Sequence, residues 1–100
     1  MRHARLGTLG TKPGCRDQLV ALLTRRTDEL SAVGCLFYEV GISDDQPDAV
    51  FVSELWTSAE AHRASLELPS VRAGIAEAMS LLSGEMSSQG FDVVGSPLRG

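Results

Sequence analysis

The 100-residue sequence predicts an α+β fold in which four strands form one antiparallel sheet and the helices cover a single face. Three observations carry that prediction. Two runs rich in β-branched and aromatic residues flank a turn-prone segment in mid-chain; a helical hydrophobic pattern stands on each side of that pair; and a short strand-like run lies near either end.

The elements follow in order. Ala4 to Lys12 alternates loosely around Leu6, Thr8 and Leu9 and contains two glycines, which reads as a strand whose backbone is closely approached. Lys12-Pro13-Gly14 breaks it. From Arg16 to Val33, apolar residues recur at Leu19, Leu22, Leu23, Leu30 and Val33, the spacing of one helix face, and Gly34 suits the C-terminal cap. Cys35 to Ile42 and Ala49 to Trp56 predict a hairpin joined through Ser43 to Asp48. Both faces of this hairpin carry large apolar groups, so each face needs a cover. Helices supply one; a second copy of the sheet is the simplest other.

Ser58 is placed to cap a short helix running to about Leu68, with Glu60 adding favourable charge in its first turn. Pro69 interrupts it, and a new pattern at Val71, Ile75, Met79 and Leu82 ends near Gly84. Glu85 to Gln89 reads as a polar loop and Gly90 to Val94 as a closing strand. The resulting order, β-α-β-β-α(α)-β, is the split βαβ pair of a ferredoxin-like sandwich. That fold hosts unrelated chemistries and assigns no function by itself.

Composition narrows the field. With 43% hydrophobic and 22% charged residues, the chain suits one domain over residues 1–100, with no room for a second core. Thirteen acidic against nine scattered basic residues give a net charge of -4, which argues against nucleic acid or an anionic membrane as partner. Apolar runs such as Leu19 to Leu23 fall far short of the roughly 20 residues of a membrane span. Met1 to Arg5 carries basic residues with no signal-peptide apolar stretch behind them. The expectation is a soluble, cytoplasmic protein. A continuous helix between Cys15 and Cys35 would hold them on the order of 20 Å or more apart, at about 1.5 Å per residue, so the two thiols are expected to stay free. Only two histidines, His3 and His62, are available, which is too few for the usual zinc arrangements. Gly7-Thr8-Leu9-Gly10 lacks the spacing of a nucleotide-binding loop.

The string Gly34-Cys35-Leu36-Phe37-Tyr38-Glu39-Val40, the Asp-rich loop with Pro47, then Glu54-Leu55-Trp56 followed by Ser58-Ala59-Glu60-Ala61 and Pro69, resembles the antibiotic biosynthesis monooxygenase (ABM) family. The resemblance runs from Leu6 to about Val94. It implies a small homodimer whose sheets pack face to face into a dimeric α+β barrel, with a pocket between sheet and helices in each subunit. It also implies oxygenation of aromatic polyketides or quinols without metal or flavin, or, in other members, haem degradation. Family members commonly carry a helix histidine where this chain has Ser65, and a second where it has Ser70. His62 lies about 60° around the helix from Ser65 and is a partial stand-in. The chain contains no Asn, whereas the haem degraders need both an Asn and the helix histidine as iron ligand.

The candidate site follows. Trp56 and Glu54, two apart in a strand, share a face. On the helix-facing side Glu54 becomes a base with raised proton affinity; alternatively it pairs with Arg63, Arg72 or another helix residue, and Trp56 is core filler. Closing the hairpin loop symmetrically pairs Tyr38 with Ser53 and sends it to the opposite face, while a bulge would bring it beside Glu54. The catalytic set is therefore Glu54, Trp56, His62 and Tyr38, and the substrate-binding set Phe37, Ala61 and Ser65, with no metal and no bound cofactor. The expected partners are a small aromatic substrate and a second copy of the chain. The leading expectation is a cofactor-independent monooxygenase acting on a polycyclic aromatic or quinol-like substrate. The alternatives are a non-catalytic dimeric barrel that binds a small hydrophobic ligand, and a cyclase or isomerase on the same fold.

Overall fold

The computed structural model describes residues 1–99. It contains β1 (His3–Thr11), α1 (Arg16–Leu23), α2 (Glu29–Ala32), β2 (Cys35–Ser43), β3 (Gln46–Trp56), α3 (Ala59–Ser65), α4 (Pro69–Ala78) and β4 (Leu82–Asp92). The four strands form one antiparallel sheet in the order β2-β3-β1-β4. This is the expected ferredoxin-like topology, with β3 and β1 central and β2 and β4 at the edges.

The first helix departs from expectation. Instead of running from Arg16 to Val33, it stops at Leu23 and a single turn resumes at Glu29. Local hydrogen bonding explains the break: the Thr24 hydroxyl donates to the Val20 carbonyl at 2.7 Å, and the Thr27 hydroxyl accepts from the Glu29 amide at 3.1 Å. The Thr27 hydroxyl thus offers the backbone a partner outside the helical ladder, while the Thr24 hydroxyl shares the Val20 carbonyl with its own amide at the helix end. Cys15 and Cys35 are both free, although the continuous helix invoked to separate them is absent. Gly34 does terminate α2, at φ +108°, and a β-carbon there would come within 2.6 Å of the Thr57 hydroxyl. The Thr57 amide donates to the Gly34 carbonyl, which ties the start of β2 to the end of β3.

The hairpin is tighter than expected. Ser43 pairs with Gln46, leaving Asp44 and Asp45 as the turn, and the strands absorb the mismatch at irregularities between Gly41 and Ser43 and between Cys35 and Phe37. Pro47 is accommodated because β1 joins β3 only from Ala49 onward. Ser58 caps α3 as foreseen, its hydroxyl accepting from the Ala61 amide at 3.1 Å, and Pro69 opens α4.

The C-terminal third needs two corrections. Helix α4 ends at Ala78, short of Gly84, and it buries Ala78 while Ile75 and Met79 remain 50% and 63% exposed. The stripe expected at Val71, Ile75, Met79 and Leu82 is therefore not its inner face, and Leu82 begins a strand. The segment Glu85 to Gln89 is not a loop but the middle of β4, which is exposed over nearly its whole length. A strand at a sheet edge with few covered side chains has no need of apolar alternation.

The core lies between α1, α4 and the middle of the sheet. Leu19, Val50 and Ala78 form its buried centre, with Leu9, Leu22, Leu23 and Val40 packed around them. Val50, Val52, Glu54 and Trp56 alternate along β3 and face the helices; Phe51, Ser53 and Leu55 face the other way. That second face is open. Leu6, Phe37 and Phe91, on β1, β2 and β4, are 43%, 45% and 48% exposed there.

Candidate functional site

The site grows out of the last four residues of β3. Alternation sends Glu54 and Trp56 to the helix side, and the ladders decide what surrounds them. Glu54 pairs with Tyr38 on β2 and with Arg5 on β1, and Arg5 in turn pairs with Gly90 on β4. Trp56 pairs with His3, which pairs with Asp92. Two polar rows thus cross the sheet below α3. The bulge at Leu36 fixes the face of Tyr38: it sits opposite Glu54, not Ser53, so the phenol joins the carboxylate on the inner side.

Trp56 is only 1% exposed. Its indole Nε1 donates to Glu54 Oε1 at 3.0 Å, and its ring meets the His62 imidazole edge-on, with centroids 5.3 Å apart at 71°. Glu54 is not locked into an ion pair: among the described residues, Arg63 pairs with Glu60 and Arg72 with Glu67, and Arg5 comes no closer to a carboxylate than 4.0 Å. Burial raises the proton affinity of Glu54, and the Trp56 hydrogen bond and the Arg5 charge only partly offset it. Burial pushes the Tyr38 phenol up to about 12, with the charge of Glu54 and then the Cys35 thiol adding to the effect. Tyr38 is therefore a proton donor at neutral pH. His62 is held below its ordinary value by burial first, then by Arg5, His3 and Arg63, so its imidazole is neutral. The Cys35 thiol is raised by burial and by Glu54, which leaves it protonated and poorly nucleophilic.

The structure brings Glu54, Trp56, Tyr38 and His62 together. It treats the proposed binding residues differently. Ser65 is buried, and its hydroxyl donates to the His62 carbonyl at 2.6 Å, so it is occupied within its own helix. Ala61 packs against the Gly34 turn. Phe37 points away from Glu54, pairing with Leu55 on the open face.

Among the described residues, two depressions stand out on the surface. One, of about 400 Å³, lies where the break between α1 and α2 meets β2; Thr24, Arg26, Leu30, Cys35, Phe37 and Tyr38 are among its walls. The other, of about 460 Å³, is a shallow trough on the open sheet face beside Leu6, Phe51 and Gln89. Tyr38 joins the first depression to the buried carboxylate, whereas Trp56, Glu54, Ala61 and Ser65 line neither. Sequence reasoning missed Arg5 and His3. Their signal was the His3-Ala4-Arg5 alternation at the start of a strand that pairs with the Glu54-Leu55-Trp56 end of β3.

A model of the antibiotic biosynthesis monooxygenase family matches residues 3–77, which span β1 to α4 and every residue of the inner cluster except Gly90 and Asp92. The chain belongs to that family. A crystal structure from Chloroflexus aurantiacus J-10-fl, provisionally named as an antibiotic biosynthesis monooxygenase, is 35% identical, covering 96% of this chain and 97% of its own, with a TM-score of 0.80. Similarly named proteins from Deinococcus radiodurans (24% identity, 96% of this chain, 95% of that one, TM-score 0.75) and Nitrosomonas europaea (8%, 93%, 90%, 0.82) share the fold. No curated protein matches the sequence. The fold is therefore monooxygenase-like, as the resemblance implied. Among the described residues, no helix is long and apolar enough to cross a membrane.

Proposed function

We propose that the chain is a cofactor-independent monooxygenase acting on a polycyclic aromatic or quinol-like substrate, working as a homodimer. The observation that carries this reading is the state of Glu54: a half-buried carboxylate with raised proton affinity, oriented by the Trp56 indole and in no ion pair among the described residues. Such a group suits general-base work, because its proton affinity lies closer to the working pH than that of a solvated carboxylate. Family membership supports the reaction class.

The substrate supplies the electrons. An anthrone-type methylene, made acidic by its neighbouring ring system, loses a proton to Glu54; the carbanion gives electrons to dioxygen; one oxygen atom becomes the new carbonyl and the other leaves as water. The protein orients the ring and accepts the proton, while Tyr38, a protonated donor beside the depression, hydrogen-bonds a substrate oxygen. His62, neutral and in edge contact with Trp56, holds the indole in place and is the second candidate acceptor. Phe37 forms part of the wall of the depression beside Tyr38, whereas Ala61 and Ser65 stand outside it. Oxygen uptake by the purified protein with an anthrone and a quinol panel tests the reading. Uptake stoichiometric with product is expected, and its loss in Glu54→Gln.

A specific observation favours the second reading, a non-catalytic barrel that binds a small hydrophobic ligand. Trp56 is nearly sealed, and the Ser65 hydroxyl, at the position of the family's helix histidine, is spent on its own helix. Saturable binding of the same compounds without oxygen uptake would establish it.

A further inference from the structure

Arg5 stands out because the structure gives its charge no partner. It is half-buried on the inner face of β1, directly across from Glu54, yet among the described residues it forms no ion pair within 4.0 Å. Paired inner-face residues on adjacent antiparallel strands hold their β-carbons about 4.5–5.5 Å apart. The carboxylate is thus near enough to feel Arg5 and too far to consume its donors. A guanidinium carries five N–H donors in a rigid fork, and those of Arg5 are not buried without a partner, so they stay within reach of solvent or of a ligand.

The second observation is the space around it. Gly90 stands opposite Arg5 in the β1–β4 ladder, and a β-carbon there would lie 2.8 Å from both Arg5 Nη1 and His3 Nε2. The missing side chain is what lets the two nitrogens converge on one point. His3 is fixed from its other side, its Nδ1 lying 3.2 Å from Asp92 Oδ1. Asp92 is drawn to the imidazole rather than to Arg5. The surroundings stay open toward the β4 edge: Gly90 is exposed, as is the Asp92 side chain.

We propose that Arg5, set beside His3 by the gap at Gly90, is an oxyanion subsite that takes the ionised oxygen of a phenolic ligand while Glu54 takes its proton. The O–H bond of the phenol breaks, the proton passes to Glu54, whose Oε1 already accepts from Trp56, and the electron pair stays on the oxygen facing the guanidinium. The charged and titratable groups around Arg5 are Glu54 on β3, His3 on its own strand, Asp92 on β4 and His62 on α3, which feels both Arg5 and His3. Arg5 is the one cation among them whose charge does not depend on pH. The inference rests on the monooxygenase reading for Glu54 as base, but it assigns Arg5 a separate role that can be measured without turnover.

The probe is 4-nitrophenol, whose ionisation is visible by absorbance. The protein-bound phenol is expected to ionise at least about tenfold more readily than the free phenol, the effect of an opposite charge in contact. Arg5→Gln should abolish that gain and Arg5→Lys should keep part of it. Gly90→Ala, which removes no charged group but forces Arg5 and His3 apart, should reduce the gain, and it decides the matter if Arg5→Gln fails to fold. Failure of the probe to bind, or equal ionisation in wild type, Arg5→Gln and Gly90→Ala, overturns the subsite. Oxygen uptake without the ionisation gain would sink the subsite and spare the monooxygenase; the gain without uptake would do the reverse.

Discussion

Tyr38 lies directly across from Glu54 in the β2–β3 ladder, and it does so because Leu36 is extruded from β2 as a bulge. Without that extra residue the phenol would face the open side of the sheet. With it, a protonated donor and a carboxylate of raised proton affinity lie side by side; burial lifts both, and the charge of Glu54 adds to the rise at Tyr38. Groups held away from their ordinary proton affinities mark a candidate site.

Glu54→Gln should separate stability from activity. Folding raises the proton affinity of Glu54 above its unfolded value, so the folded state binds more protons through that window and stability falls as pH rises across it. At neutral pH the ionised carboxylate opposes folding. Glutamine removes the charge and keeps an oxygen for the Trp56 indole, so the variant should melt no lower than wild type at pH 7. Oxygen uptake should fall by about 10²–10⁴-fold, the usual contribution of a general base. Calorimetry together with oxygen-electrode rates checks both arms, and a large drop in melting temperature contradicts the assignment.

Trp56→Phe removes the hydrogen bond to Glu54 together with part of a buried ring, and the pH profile separates the two effects. The indole stabilises the ionised form of Glu54, so removing it should raise the proton affinity of that carboxylate further. A base works only when deprotonated, and the acid limb of kcat/KM should therefore move to higher pH. A variant that loses rate equally at all pH values would show that the indole packs without tuning the carboxylate.

Much of this was legible in the sequence. Apolar periodicity and β-branched runs gave the element order, and the two-residue spacing of Glu54 and Trp56 gave their shared face. What was not legible has local polar causes. The break in the first helix depends on where the Thr24 and Thr27 hydroxyls point, and either residue is also compatible with a helix interior. Polar β4 shows no strand period because an exposed edge imposes none. The face of Tyr38 depends on one extruded residue, which no alternation rule anticipates. Arg5 and His3 were legible in principle, as alternating residues of a strand paired with β3, but read only as scattered charges they conveyed no position.

The corrected packing of α4 makes a quantitative contrast. Leu19 is fully buried between α1 and the sheet, so Leu19→Ala should cost about 2–5 kcal/mol, from lost transfer free energy plus the cavity left behind. Met79 sits beyond the helix end and is largely exposed, so Met79→Ala should stay within about 0.5 kcal/mol of wild type. Urea denaturation measures both. A large cost at Met79 would return the α4 stripe to the core.

The open face of the sheet bears on assembly. Leu6, Phe37 and Phe91 expose between 43% and 48% of their surface on the side no helix covers, with Phe51 and Leu55 between them. A contiguous apolar patch rimmed by polar residues is the usual mark of an interface, and a two-fold pairing of identical sheet faces is the simplest closed arrangement. Light scattering should therefore give twice the 10.7 kDa chain mass at micromolar concentration. Leu6→Arg places a charge in the middle of that patch, on a side chain that makes no contact with the helix-side core, so it should yield a folded monomer with an unchanged far-ultraviolet spectrum. If wild type already scatters as a monomer, the face has another use. If Leu6→Arg stays dimeric, the chains join through a different surface.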